Sequence, residues 1–323
     1  MKQTSKSTDK FIILPFLLLG LVFLFNPVLS QEYIAGHSVA KESVLRSIPV
    51  EYINKARSEL VVAYQHTSHG THVSRGMYGL PDYKPGDNQL YGISRTKSPG
   101  KLEFRDNTME DYAQEGVDGR DISKADGGIL QITRNFLDAP ENASVNVVMW
   151  AWCNIIKLDV KGIYLDPMTT LISEYGEGGT KIGSAKGQRK VPVVFIYMTG
   201  HAYKNYNSKP LLAKDQAAII NKYCESNSQF CLDYYSIDTH TMDGVYYEDT
   251  GDDADSDTYG GNFNLDWQNA HTLGVDYFEN RFNPGRKAVP GSHNTQHITS
   301  NRKAYAMWWI LARIAGWDGI STE

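Results

Sequence analysis

Apolar positions in this chain fall into short unbroken runs, separated by stretches in which they recur at helical spacing. The runs closing at Glu59–Gln65, Val145–Trp152, Val191–Met198 and Phe230–Ile237 are rich in β-branched and aromatic residues. Runs of that kind predict strands covered on both faces. Between them, Gly128–Leu137 and Lys214–Glu225 read as helices. In Asn301–Gly316 the apolar residues Ala304, Met307, Trp308, Leu311 and Ile314 recur at spacings of three and four. This predicts a helix with one broad face against a sheet, stopped at Gly316, with Trp308 and Trp309 as packing residues. Strands alternating with helices imply right-handed crossovers and a mostly parallel sheet, hence an α/β fold of the three-layer α/β/α, flavodoxin-like kind. Met77–Lys124 and Asp238–Gly291 are rich in Gly, Asp, Asn and Tyr with little periodicity, and are expected to be loops that wall a substrate site.

The first thirty residues carry a different pattern. Lys2, Lys6 and Lys10 precede an apolar stretch from Phe11 to Phe25, then Pro27 and the small-residue exit Val28-Leu29-Ser30. That is the plan of a secretory signal peptide over residues 1–30, which gives a mature chain from Gln31 and a secreted or periplasmic location. The apolar core falls short of the ~20 residues needed to cross a bilayer, and no second stretch in the mature chain approaches that. Residues 31–323 suit a single domain with long loops. The formal charge of −5 leaves no basic face for nucleic acid. Three cysteines are too few for a disulfide scaffold. Export would permit a Cys224–Cys231 bridge, with Cys153 a buried, inert thiol.

The candidate chemistry begins where the first strand ends, at His66-Thr67-Ser68-His69-Gly70. In open parallel sheets ligands collect beyond the carboxyl ends of the strands, so Ser68 is placed where a nucleophile would act. Serine catalysis needs a base and donors for the oxyanion. Asn154 closes the next apolar run, Gly127-Gly128 opens a helix between the two, and His297 precedes the final helix, with His293 four residues earlier as a rival.

In this order the chain resembles the SGNH hydrolase superfamily. More narrowly, His66–Gly70, Trp150-Ala151-Trp152-Cys153, Tyr197-Met198-Thr199-Gly200-His201 and the closing Trp308-Trp309 to Gly316-Trp317-Asp318-Gly319 resemble exported bacterial SGNH-like proteins. The resemblance implies Ser68 as nucleophile, Asn154 and Gly128 (or Gly127) as oxyanion donors, and His297 as base. The chain departs from the pattern at His66-Thr67-Ser68, which replaces Gly-Asp-Ser, and at Asn294, which stands where the orienting aspartate belongs. Substrate contacts are expected from His66, His69, Trp152 and His201.

Two metal readings arise. His66, His69 and His72 recur every third residue, but a strand exit without a nearby carboxylate is a poor zinc site. The run Asp252–Asn262 alternates aspartates before glycine, so Asp253, Asp255 and Asp257 are candidate ligands for a structural calcium, with no cofactor required for catalysis. The expected activity is an exported serine esterase that removes acetyl or other acyl groups from a small-molecule or glycan ester, by analogy with carbohydrate esterases in the superfamily. The alternative is a non-catalytic, calcium-stabilised glycan-binding module on the same scaffold.

Overall fold

The computed structural model describes residues 33–283, 288–289 and 291–320, together with Met1. The expected signal peptide lies outside the described residues. Numbered in chain order, the strands are β1 (Ile34–Ala35), β2 (Val61–Gln65), β3 (Ile93–Ser94), β4 (Leu102–Asp106), β5 (Val147–Trp150), β6 (Val194–Met198) and β7 (Cys231–Leu232). They form one seven-stranded sheet in the order β1-β7-β6-β5-β2-β4-β3, every neighbouring pair parallel. The helices are α1 (Glu42–Ser47), α2 (Val50–Glu59), α3 (Thr71–Gly79), α4 (Asp87–Tyr91), α5 (Ile129–Asp138), α6 (Asp166–Tyr175), α7 (Ala213–Ser226), α8 (Tyr234–Thr239), α9 (Phe263–Asn269) and α10 (Ile298–Ile314).

Alternation along the strands divides the core into two layers, as a pleated sheet requires. Val62 and Tyr64 of β2, Met149 of β5 and Ile196 of β6 face the side packed by α2, α3 and α10. Ala63, Val148, Trp150, Phe195 and Tyr197 face the side packed by α5, α6 and α7. The fold is thus a three-layer α/β/α sandwich. Among the described residues no helix is long and apolar enough to cross a membrane.

Three elements differ from expectation, each for a visible reason. Phe230–Ile237 is a strand only at Cys231–Leu232, because the Asp233 side chain accepts the Ser236 N–H and caps α8 there. Met77–Lys124 is no structureless loop, for it supplies α4, β3 and β4. Leu102 and Phe104 of β4 point into the core, while its intervening Glu103 and Arg105 pair with each other at 2.8 Å, which hid the strand behind charges. The closing helix is buried around nearly its whole circumference rather than on one face, and carries Asn301, Arg302 and Lys303 inside with it. Gly316, at φ 104°, does end it.

The bridge expected between Cys224 and Cys231 is not formed. All three cysteines are free thiols, and burial together with a hydrogen bond between Cys231 and Cys224 pushes the Cys231 thiol well up.

The chain passes from β2 outward to β3 and β4 on one side, then returns across β2 to β5 on the other. That reversal opens a crevice at the carboxyl ends of β2 and β5, the usual ligand position in such sheets. Gly70, just beyond β2, must lack a side chain, because a Cβ there would stand 2.6 Å from Ala151 and 2.7 Å from His66.

Candidate active site

A cavity of about 520 Å³ occupies this crevice, lined by Ser68 and His69 after β2, Cys153 and Asn154 after β5, His201 after β6, and Asp252 and His293 from the later loops. Its size suits a small-molecule ligand. Ser68 sits in the left-handed region at φ 51°. A serine rarely adopts that conformation, and this one does so at the turn between β2 and α3, where it lines the cavity.

Two imidazoles meet its hydroxyl. His293 Nε2 is hydrogen-bonded to Ser68 Oγ, and His69 Nδ1 lies 3.4 Å from the same atom. On its other side His69 Nε2 donates to Asp252 Oδ2 at 2.6 Å. The rings of His293, His69 and His201 form a stack, with centroids 4.1 and 3.7 Å apart and planes within 12° and 16°. Burial drives the His69 pKa down to about 4 against the pull of Asp252, with His201 and His293 adding to the depression. Burial also works to raise Asp252, but the His69 hydrogen bond and the three imidazoles outweigh it and hold the carboxyl below its usual range.

Asp252 is therefore the carboxylate that holds an imidazole in this cleft, and the imidazole it holds is His69, whereas Asn294 holds none. The Oδ1 of Asn294 accepts from Gln296 N at 3.0 Å and closes a turn. Sequence reasoning missed Asp252 because it opens the acidic run whose other members drew attention as calcium ligands.

The predicted residues divide between the cleft and the core. Ser68, Asn154, His69 and His201 line the cavity as expected. Asn154 Oδ1 accepts from Ile156 N at 2.9 Å, so Nδ2 is the donor that this side chain offers. His201 is buried, with Nδ1 2.6 Å from Ala202 O and Nε2 3.0 Å from Cys153 O.

The structure corrects four other assignments. His297 is turned away, its Nδ1 accepting Asn280 N at 3.0 Å, and His293 holds the place beside Ser68. Gly128 does not line the cavity, and its N–H is committed to Ala125 O at 2.7 Å in the turn that starts α5. Trp152 is fully buried and donates to Met198 O at 3.0 Å, so it packs rather than binds. His66 is also buried, held by Asp106 at 2.7 Å behind the strand exit.

Neither metal reading finds converging ligands. His66, His69 and His72 go to three separate partners, Asp106, Asp252 and Tyr234. Asp255 and Asp257 both pair with Lys204 Nζ, at 2.5 and 2.8 Å, and Asp253 Oδ1 accepts Asp255 N, so a lysine already relieves the charge that calcium was expected to neutralise. Among the described residues, the group whose ligand atoms come within 4.8 Å of one another is His69, Asp252 and His293. Those two histidines are stacked nearly parallel, so their in-plane lone pairs run side by side instead of converging on one ion as tetrahedral ligation requires.

No protein-family model, curated protein or solved structure matches this chain, so its function has to be read from the cleft itself.

Proposed function

We propose that the protein is an exported serine esterase of SGNH type, acting on acyl or acetyl esters of small molecules or carbohydrates. The observation that carries this reading is a strained serine at a strand exit in hydrogen-bond contact with an imidazole, with a second imidazole and its carboxylate stacked beneath. A serine elbow with histidine and aspartate behind it is the arrangement that acyl transfer requires.

His293 is the better base of the two imidazoles. Its Nε2 is the imidazole nitrogen hydrogen-bonded to Ser68 Oγ, whereas His69, held to about 4, is a weak proton acceptor. In the proposed sequence the Ser68 hydroxyl proton passes to His293 Nε2 while Oγ bonds to the ester carbonyl carbon. The carbonyl oxygen becomes an oxyanion facing Asn154 Nδ2. Collapse of the intermediate breaks the bond to the alcohol, which leaves with the proton from His293, and water then cleaves the acyl-serine by the same steps. The Asp252 carboxylate supports positive charge on His293 across the stack. A lining of Asn154, Tyr203, Lys204, Asn205 and Asp253 offers hydroxyl-bonding groups, which favours an oxygen-rich alcohol such as a sugar.

The test is burst release from a chromogenic acetyl ester. Native protein is expected to show a burst and then turnover, and folded Ser68→Ala neither. Full hydrolysis by Ser68→Ala overturns the serine mechanism. Loss of turnover on chelation, restored by a divalent ion, would instead indicate a metallohydrolase.

A further inference from the structure

Behind the histidine stack lies a buried ion pair that the chemistry above does not use. Lys303 of α10 and Asp238 of α8 are 0% and 2% exposed, and Nζ meets Oδ1 at 2.6 Å. Burial pushes the Lys303 ammonium down and the Asp238 carboxyl up. A buried pair of this kind brings no dependable gain over apolar residues of the same bulk, so stability alone does not account for it.

Two threads run from the pair to the cleft. On one, Asp238 Oδ2 accepts the Ala202 N–H at 3.2 Å, and the Ala202 carbonyl meets His201 Nδ1 at 2.6 Å, which fixes one end of the stack. On the other, Lys303 Nζ lies 4.0 Å from the centroid of the Tyr234 ring. The Tyr234 hydroxyl donates to the His69 carbonyl at 2.9 Å, and its oxygen is 2.6 Å from His72 Nδ1. A tyrosine has one proton to give, so His72 is the donor in that last contact. The middle and inner members of the stack are thus registered from a single point in the core.

We propose that Lys303, Asp238 and Tyr234 are positioning residues that set His69 against His201 and so hold the ring beneath His293 in place. Their effect on turnover rests on the serine-esterase reading, whereas their effect on the rings does not. His69 is faced by Asp252, His201, His293 and His72, so its protonation reports whether the stack is intact.

The experiment is an NMR titration of the imidazoles, with His69 assigned by comparison with His69→Gln, alongside kcat and KM for a chromogenic acetyl ester. Tyr234→Phe keeps the ring under Lys303 and removes only the hydroxyl. It is expected to fold normally, to move the His69 midpoint up from about 4 toward its ordinary 6.5 as the stack loosens, and to lower kcat on the order of 10- to 100-fold with KM little changed. The paired replacement Lys303→Met with Asp238→Leu is expected to shift the His201 resonances as well. A folded Tyr234→Phe protein with a native His69 midpoint and native kcat overturns the proposal, whatever the paired variant does. Should Ser68→Ala retain ester turnover, the esterase reading fails, and the His69 midpoint alone then decides the positioning role.

Discussion

Two histidine–aspartate pairs flank Ser68 and look alike at close range. His66 and Asp106 meet at 2.7 Å with both side chains buried, and His69 and Asp252 at 2.6 Å with the aspartate about a third exposed, at 35%. Their surroundings differ. His66 packs on Tyr64 behind the strand exit, with Thr71 Oγ1 3.3 Å from its other ring nitrogen and Arg95 3.5 Å from its aspartate. His69 opens onto the cavity, between two other imidazoles and beside the serine hydroxyl. The first pair has every polar group answered by the protein and braces the turn that carries Ser68. The second leaves a ring nitrogen facing the Ser68 hydroxyl in the cleft. A His–Asp contact is therefore not a site in itself, since what lies on the far side of the imidazole decides whether it holds structure or serves chemistry.

The comparison can be broken most severely at the serine's direct partner. His293→Ala is expected to reduce kcat on an acetyl ester by a factor on the order of 10⁴ to 10⁶, as for loss of a base that acts as one unit with its nucleophile. His297→Ala should leave kcat within a few-fold, and the reverse ranking would restore His297 as base. Next come the two aspartates. Asp252→Asn, which removes the carboxylate's charge from the stack without touching the proposed base directly, is expected to lower kcat by roughly 10- to 10³-fold, the worth of one to three pKa units of charge support. Asp106→Asn should cost about 1–3 kcal/mol of stability, from a buried group left imperfectly paired, with kcat nearly intact. Equal kinetic losses in both variants would erase the distinction between the pairs. Asn154→Ala, which removes one proposed oxyanion donor, is expected to cost about 10²- to 10³-fold in kcat.

The parallel sheet, its central strands and Ser68 were legible in the sequence because each rests on local pattern. Continuous apolar runs mark buried strands, and a serine breaking such a run marks a strand exit. β4 was not legible, because its paired Glu103 and Arg105 interrupt the apolar count. Nor could spacing reveal that Asp252, 183 residues from His69, closes the site, since a loop from the far end of the chain brings it there. The choice of His293 over His297 turned on one backbone feature. His293, in the left-handed region at φ 66°, reaches Ser68, while His297 is already the cap residue of α10. Near helix starts, residue type and position were readable, but side-chain direction was not.

A further predicted effect concerns stability in acid and leaves turnover aside. In the fold His69 has a pKa of about 4, against 6.5 in the unfolded chain, and burial is the main cause. Above pH 6.5 neither state is protonated at this ring, and it makes no difference to stability. As pH falls below 6.5 the unfolded chain gains a proton that the folded ring refuses, so unfolding becomes progressively easier until the folded ring also protonates near 4. The loss from this one group approaches about 3 kcal/mol across that window. Asp252, held below its usual range, extends the same trend at lower pH, where its folded-state stabilisation is lost as the carboxylate is protonated. Between pH 7.5 and 4 the melting temperature of the native protein is expected to fall more steeply than that of His69→Gln, because the variant lacks the group that titrates. Parallel curves would mean that His69 is not held neutral by its stack, and the contrast between the two pairs would then reduce to exposure alone.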